Sequence, residues 1–260
     1  MEKKTNSEPL IIILNGMDFS GKSTVLDFVF SELTHVINME EIMRKEKTLE
    51  PEPLKVLNCL GEKPLEKEEL ASLIESMSMF DTQLAEIRGN PTGKKVICQD
   101  GLWMMKGFGL LTALGEVSKE RLTELQERLE RYRGDESNSK IMSFYLQIPP
   151  ELARARFLNR PPELRTKSDR MVLRDGYYMR ANATYLSLVK RVFPNTEVIN
   201  TESISAKETA KRIVWKAVNA LDRVTAVRET QLDNQGNTLV SIYTKESIVS
   251  RKFDQNGFEL

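Results

Sequence analysis

Apolar and polar positions switch between two spacings along this chain, and the switches mark out alternating strands and helices. Leu10 to Leu14 is an unbroken apolar run with three β-branched residues at its centre. That composition suits a strand buried on both faces of a parallel sheet. A glycine-containing turn follows, and Thr24 to Leu33 then has helical spacing. His35 to Met39 predicts a second strand, with Glu40 and Glu41 just beyond it. Glu40 to Lys67 is charged and holds three prolines, which reads as loops and short helices around an opening. From Glu68 to Arg88 the apolar residues Leu70, Leu73, Ile74, Met77, Phe80, Leu84 and Ile87 fall on one helical face.

Lys95 to Asp100 is the next short strand, and Gly101 to Gly109 reads as a glycine-punctuated loop. Lys119 to Arg133 is a charged helix, and Ser143 to Ile148 is a strand stopped by Pro149–Pro150. Glu151 to Asn159 resumes helix. Arg160 to Asp169 is a basic, proline-containing loop, and Arg170 to Phe193 is largely helical. Thr196 to Asn200 is the last strand of the series, before a helix from Ser205 to Leu221. Strands alternating with helices predict an α/β three-layer sandwich around a parallel sheet. The tail departs from this pattern. Ala226 to Leu232 and Leu239 to Tyr243 predict a hairpin, with Lys245 to Phe253 beyond. The division is therefore residues 1–221 as one domain, with a lid near 151–175, and 222–260 as a small β extension.

Composition removes several function classes. The chain has 260 residues with 38 basic and 38 acidic side chains, so no global charge draws it to nucleic acid. Two cysteines, Cys59 and Cys98, exclude a disulfide scaffold, and the single His35 leaves little for a histidine metal site. The polar N-terminal residues lack an apolar core and no run is long enough for a bilayer, so a cytoplasmic protein without membrane attachment is expected.

Gly16 to Thr24, GMDFSGKST, matches G-x-x-x-x-G-K-[ST] between a strand and a helix. Gly16 and Gly21 permit a tight turn and close backbone approach. Backbone N–H groups around Phe19, Ser20, Gly21, Lys22 and Ser23 can surround phosphate oxygens at the helix N-terminus. Lys22 would reach the outer phosphates, Ser23 would ligate Mg²⁺, and Thr24 would lie beside it. Asp18 faces either an acceptor group or the loop backbone. Asp100, ending a parallel strand, faces the usual ligand crevice. It either holds a water on Mg²⁺ or orients an acceptor hydroxyl; a capping role is the bland alternative. Between Glu151 and Arg191 there are ten Lys and Arg against four Asp and Glu. Guanidinium groups at Arg156, Arg160 and Arg170 suit phosphate oxygens on a closing segment. Glu40, Phe80, Arg88 and Tyr185 are candidates for the acceptor side, each with a packing or surface role as its alternative.

With these residues in place the chain resembles the thymidylate kinase-like group of P-loop kinases. GMDFSGKST is similar to that group's G-x-D-G-x-G-K-S-T, with Phe19 at the pattern's second glycine. Arg156 to Arg170, RFLNRPPELRTKSDR, is similar to its lid. The resemblance implies a five-stranded parallel sheet of the P-loop kinase fold, ATP with Mg²⁺ as donor, a nucleoside monophosphate acceptor and a homodimer. It implies donor roles for Lys22 and Ser23, an acceptor-side place for Asp18, and lid roles for Arg156, Arg160 and Arg170. It puts Asp100 at the Asp of the group's D-R-[YH]. Two departures stand out: Gly101 replaces the Arg of that motif, and R-E-P-G is absent from the second strand, where Asn38-Met39-Glu40-Glu41 stands. The leading expectation is thus an ATP-dependent transfer to a (deoxy)nucleoside monophosphate or related nucleotide. The alternatives are a kinase acting on a nucleoside or on DNA or RNA, and a non-enzymatic ATP-binding interaction module.

Overall fold

The structure, a computed structural model, describes residues 9–45, 94–130, 140–165, 168–174, 176–221, 227–232, 238–243 and 248–253, with positions 66, 68, 71 and 75. The apolar run forms β1, Leu10–Gly16, buried at every position. It sits at the centre of a five-stranded sheet with β2 (Ile42–Lys45), β3 (Val96–Asp100), β4 (Ile141–Gln147) and β5 (Glu197–Asn200), in the order β2-β3-β1-β4-β5. Every neighbouring pair is parallel.

Successive residues of a strand face opposite ways, and β1 divides its side chains between two cores. Leu10, Ile12 and Leu14 pack with α1 (Lys22–Thr34), which contributes Val25, Leu26, Val29 and Leu33. Ile11 and Ile13 face the other side. That side is covered by α2 (Trp103–Leu114), α3 (Lys119–Glu130), α4 (Pro150–Asn159) and α5 (Tyr177–Val192). The final helix, α6 (Ala206–Ala220), joins α1 on the first side and starts with a capping box between Ser205 and Glu208. The result is the expected three-layer α/β sandwich.

Two expectations about elements are corrected. His35 to Met39 is not a strand. The N–H groups of Val36 and Ile37 bond to the carbonyl of Leu33, closing the end of α1, and Ile37 is buried against that helix. Those N–H groups are unavailable to a ladder, and the strand begins five residues on, at Ile42. Glu40 and Glu41 therefore precede β2 instead of following it, and Arg44 lies within it. The second correction concerns Gly101 to Gly109, read as a loop. From Trp103 it is helix, with Met104, Met105 and Phe108 buried. Its glycine serves packing: a Cβ on Gly109 would lie 2.8 Å from the Ala181 carbonyl oxygen on α5.

The tail forms the expected hairpin and adds a strand. β6 (Val227–Leu232), β7 (Thr238–Tyr243) and β8 (Ile248–Phe253) make a separate antiparallel sheet in sequence order. Glu68, Ala71 and Glu75 are helical, in keeping with the helix expected there. The rest of that helix, Phe80 and Arg88 included, lies outside the described residues, as does Cys59. Cys98 is a free thiol, pushed up to about 12 by burial while the Arg44 charge pulls it down. Among the described residues no helix is long and apolar enough to cross a membrane.

Candidate active site

The chain leaves β1 at its C-terminal end, where β3 and β4 flank it on either side. In open α/β sheets this crevice is where ligands sit. Gly16 has φ 144°, and a Cβ there would meet the Leu146 carbonyl oxygen at 2.6 Å and Ser20 Oγ at 2.7 Å. The loop can fold over the strand end only because that atom is missing. Gly21, at φ 89°, precedes α1, and no side chain caps the helix. No acidic residue stands in the first turn of α1. The positive end of that helix is left for an anion.

Three carbonyl oxygens of the loop are each bonded from a different element. Tyr178 Oη of α5 donates to Asp18 O at 3.4 Å. Arg156 of α4 donates to Phe19 O at 2.7 Å, and Thr201 Oγ1, just past β5, donates to Ser20 O at 3.3 Å. Lys22 is buried, and its Nζ donates to Met17 O at 2.9 Å. Ser23 and Thr24 are exposed in the first turn of α1. Phe19 is the described non-glycine residue with positive φ, at 66°. This conformation costs a side-chain-bearing residue on the order of 1–2 kcal/mol.

Asp100 ends β3 in register with Leu14. Its Oδ1 is buried and has no hydrogen-bond partner. Ser20 Oγ and Tyr177 Oη, both near the loop, share that condition. The backbone beyond Asp100 is held by groups the sequence did not single out. Leu102 N donates to Asn15 Oδ1 at 3.2 Å and to Tyr185 Oη at 3.3 Å, and Tyr185 Oη donates to Asn15 Oδ1 at 3.0 Å. Asn15 Nδ2 bonds Ser143 Oγ at 3.1 Å, and Thr196 Oγ1 reaches the same hydroxyl at 2.9 Å. This buried polar chain ties β1, β3, β4 and α5 together under the loop. Burial raises the Tyr185 hydroxyl well above its ordinary value, and the Asp100 and Asp18 charges add to the rise. Tyr177 and Tyr178 are raised by burial first and by Asp18 second.

Beside the loop Asp18 Oδ1 lies 2.5 Å from Lys106 Nζ of α2. Lys106 was also missed from the sequence; its signal was a single cation in an apolar run, Trp103 to Leu111. A small cleft beside the pair is lined by Asp18, Phe19, Asp169, Met171, Tyr177 and Tyr178. The Arg160 guanidinium lies 5.9 Å from the centre of the Phe19 ring and 3.2 Å from buried Asp169.

The structure thus brings Gly16, Asp18, Phe19, Ser20, Gly21, Lys22, Arg156 and Arg160 to one end of the sheet, with Asp100 on the neighbouring strand. Other expected residues lie elsewhere. Glu40 sits at the opposite end, because β2 is parallel to β1 and Glu40 precedes it; Lys94 Nζ donates to its carbonyl at 2.6 Å. Tyr185 is 1% exposed and bonded to Asn15 and Leu102 beneath the loop. Arg170 is exposed on a 3-10 turn, Ser168–Leu173, whose neighbours Asp169 and Met171 are buried.

No family model and no curated protein matches the sequence. Solved structures do resemble it. Thymidylate kinase from Candida albicans aligns at a TM-score of 0.50 and 12% identity, over 83% of this chain and 93% of that one. Thymidylate kinase from Ehrlichia chaffeensis gives 0.46 and 14%, over 82% and 99%. Deoxyadenosine kinase from M. mycoides with bound dATP gives 0.49 and 16%, over 80% and 99%. At such identities the likeness is one of architecture, and the Candida albicans alignment together with the five-stranded parallel sheet establishes it: this chain has the P-loop kinase fold.

Proposed function

We propose that the protein is an ATP-dependent phosphotransferase that moves the γ-phosphate of Mg-ATP to a (deoxy)nucleoside monophosphate or related nucleotide. The observation that carries this reading is a convergence at one sheet end. Lys22, itself buried, and Arg156 meet at the loop ahead of α1, and the buried, unbonded Oδ1 of Asp100 stands one strand away. Ser20 N–H bonds Met17 O at 3.3 Å within the loop, and the loop carbonyls bonded from outside leave the other N–H groups and the helix end to serve the donor phosphates. Lys22, Arg156 and Arg160 are the cations that would meet charge spread over the transferred group. Asp18 and Lys106 face the acceptor, whose phosphate oxygen attacks the γ-phosphorus as ADP leaves; Asp100 would hold a metal-bound water, or orient the attacking hydroxyl where the acceptor is a nucleoside.

The residues fit a magnesium ion. Ser23 in the first turn of α1 would ligate it directly, and Asp100 has a carboxylate oxygen with no competing donor. When bound with the nucleotide, the ion supplies positive charge against the phosphate oxygens. The same reading includes a small-molecule acceptor, a cytoplasmic setting and, by resemblance, a homodimer.

The test is acceptor-dependent ADP release, screened across nucleosides, nucleoside monophosphates and a labelled polynucleotide. One nucleotide should give turnover that Lys22→Ala reduces by about a hundredfold or more, the scale of losing one transition-state charge contact. ATP binding with no transfer to any acceptor would favour the interaction module, and transfer only to the polynucleotide would favour the nucleic-acid kinase.

A further inference from the structure

Phe19 combines a strained backbone with contacts from a single neighbouring helix. Its φ of 66° is one a glycine would adopt freely, so the side chain is held there against a local preference. Its ring meets Phe157 of α4 edge to face, with centroids 5.8 Å apart. The Arg160 guanidinium lies over the same ring, and Arg156 donates to the Phe19 carbonyl. Arg165 lies 5.1 Å from the Phe157 ring centre and donates to the carbonyls of Leu158 and Arg160, closing the end of α4. A guanidinium group thus flanks each end of the ring pair, and buried Asp169 pairs with Arg160. Every one of these contacts joins the loop to the arginine-bearing segment or braces that segment internally.

We propose that Phe19 is a positioning residue: its ring docks α4 on the phosphate loop before nucleotide arrives, so that Arg156 and Arg160 are already at the loop. This rests on the reading of Gly16 to Thr24 as a phosphate-binding loop. Ordering the arginines in advance removes a cost that binding would otherwise meet, and nucleotide affinity rises accordingly. A glycine at this position adopts the same φ without strain, so the substitution removes the ring that holds α4 and leaves the loop's conformation accessible.

Amide exchange of the ligand-free protein tests the docking directly. In Phe19→Gly, exchange over residues 150–160 should rise by about tenfold, the size of one ring pair plus one cation–π contact. Phe19→Tyr keeps the ring and should stay within about twofold of the native chain. Phe157→Leu attacks the same contact from α4 and should raise exchange as Phe19→Gly does. The ATP dissociation constant, measured in parallel, should weaken about fivefold in Phe19→Gly and recover in Phe19→Tyr. Native-like exchange in Phe19→Gly, or equal exchange in the Gly and Tyr variants, overturns the proposal. A native chain that binds no ATP would overturn the phosphate-loop reading instead, while the exchange result would still decide whether the ring docks the helix.

Discussion

Asp18 and Lys106 are 88 residues apart and form a close charge contact beside the loop. The Lys106 side chain is 15% exposed and that of Asp18 is 38% exposed, so water screens the pair only in part. Such a contact contributes about 1 kcal/mol, or roughly fivefold in an equilibrium. Lys106→Met should therefore raise the acceptor KM about fivefold while the ATP dissociation constant changes less than about twofold. Steady-state kinetics with each substrate varied in turn will measure this, and equal loss on both would place Lys106 in general stability. Tyr177 makes the opposite case. Its hydroxyl is buried without a partner. Removing an unbonded buried hydroxyl is neutral or stabilising, by up to about 1 kcal/mol. Urea unfolding of Tyr177→Phe should show no loss, and a drop of more than about 1 kcal/mol would mean that the hydroxyl is bonded in solution. At this scale the turn from Gly16 to Gly21 between β1 and α1 was readable because it is written in consecutive residues. Lys106 and Asn15 were not, because their partners come from strands and helices far along the chain.

Elements were legible wherever a period ran without interruption. β1, α1, β4 and α6 each carry their buried face in the expected places, and α6 begins right after Ser205, where a helix was expected. The failures came where one residue type has two structural uses. Gly107 and Gly109 read as loop breakers, yet Gly109 lies where α2 crosses α5, against Ala181 and Tyr185. Gly109→Ala tests that account, because two effects of known size oppose each other. Helix propensity would favour alanine by about 1 kcal/mol. The new Cβ would sit 2.8 Å from the Ala181 carbonyl and 3.2 Å from Tyr185 Cβ, and relieving such overpacking costs about 1–3 kcal/mol. The backbone atom cannot rotate away, so the clash should win and the midpoint of thermal unfolding should fall by several degrees. A rise would mean that the two helices separate freely. The displaced second strand has a related origin. Ile37 is apolar because it covers the end of α1, and a strand's apolar residues look the same in sequence.

Across the whole molecule four tyrosines share the layer between the sheet and α5: Tyr145, Tyr177, Tyr178 and Tyr185, each raised above its ordinary value of 10.0, with burial the largest cause. Tyr145 is raised further by Tyr185 and Tyr178. A hydroxyl whose folded value lies above its unfolded one binds its proton more tightly in the native state. Its contribution is fully present below the unfolded value of 10.0 and is lost as pH rises toward the folded value. Each such group removes up to about 1.4 kcal/mol of stability per pH unit in that window. Four together would remove about 5 kcal/mol over one unit, a large part of the ~5–15 kcal/mol that holds a typical domain. Unfolding should therefore steepen above pH ~10, and tyrosinate absorbance should appear together with loss of the far-ultraviolet helix signal. Tyr177→Phe should move that alkaline midpoint upward, since one titrating group is gone. Tyrosinate forming ahead of unfolding would mean that the layer admits hydroxide while folded, and that α5 does not seal these hydroxyls against the sheet.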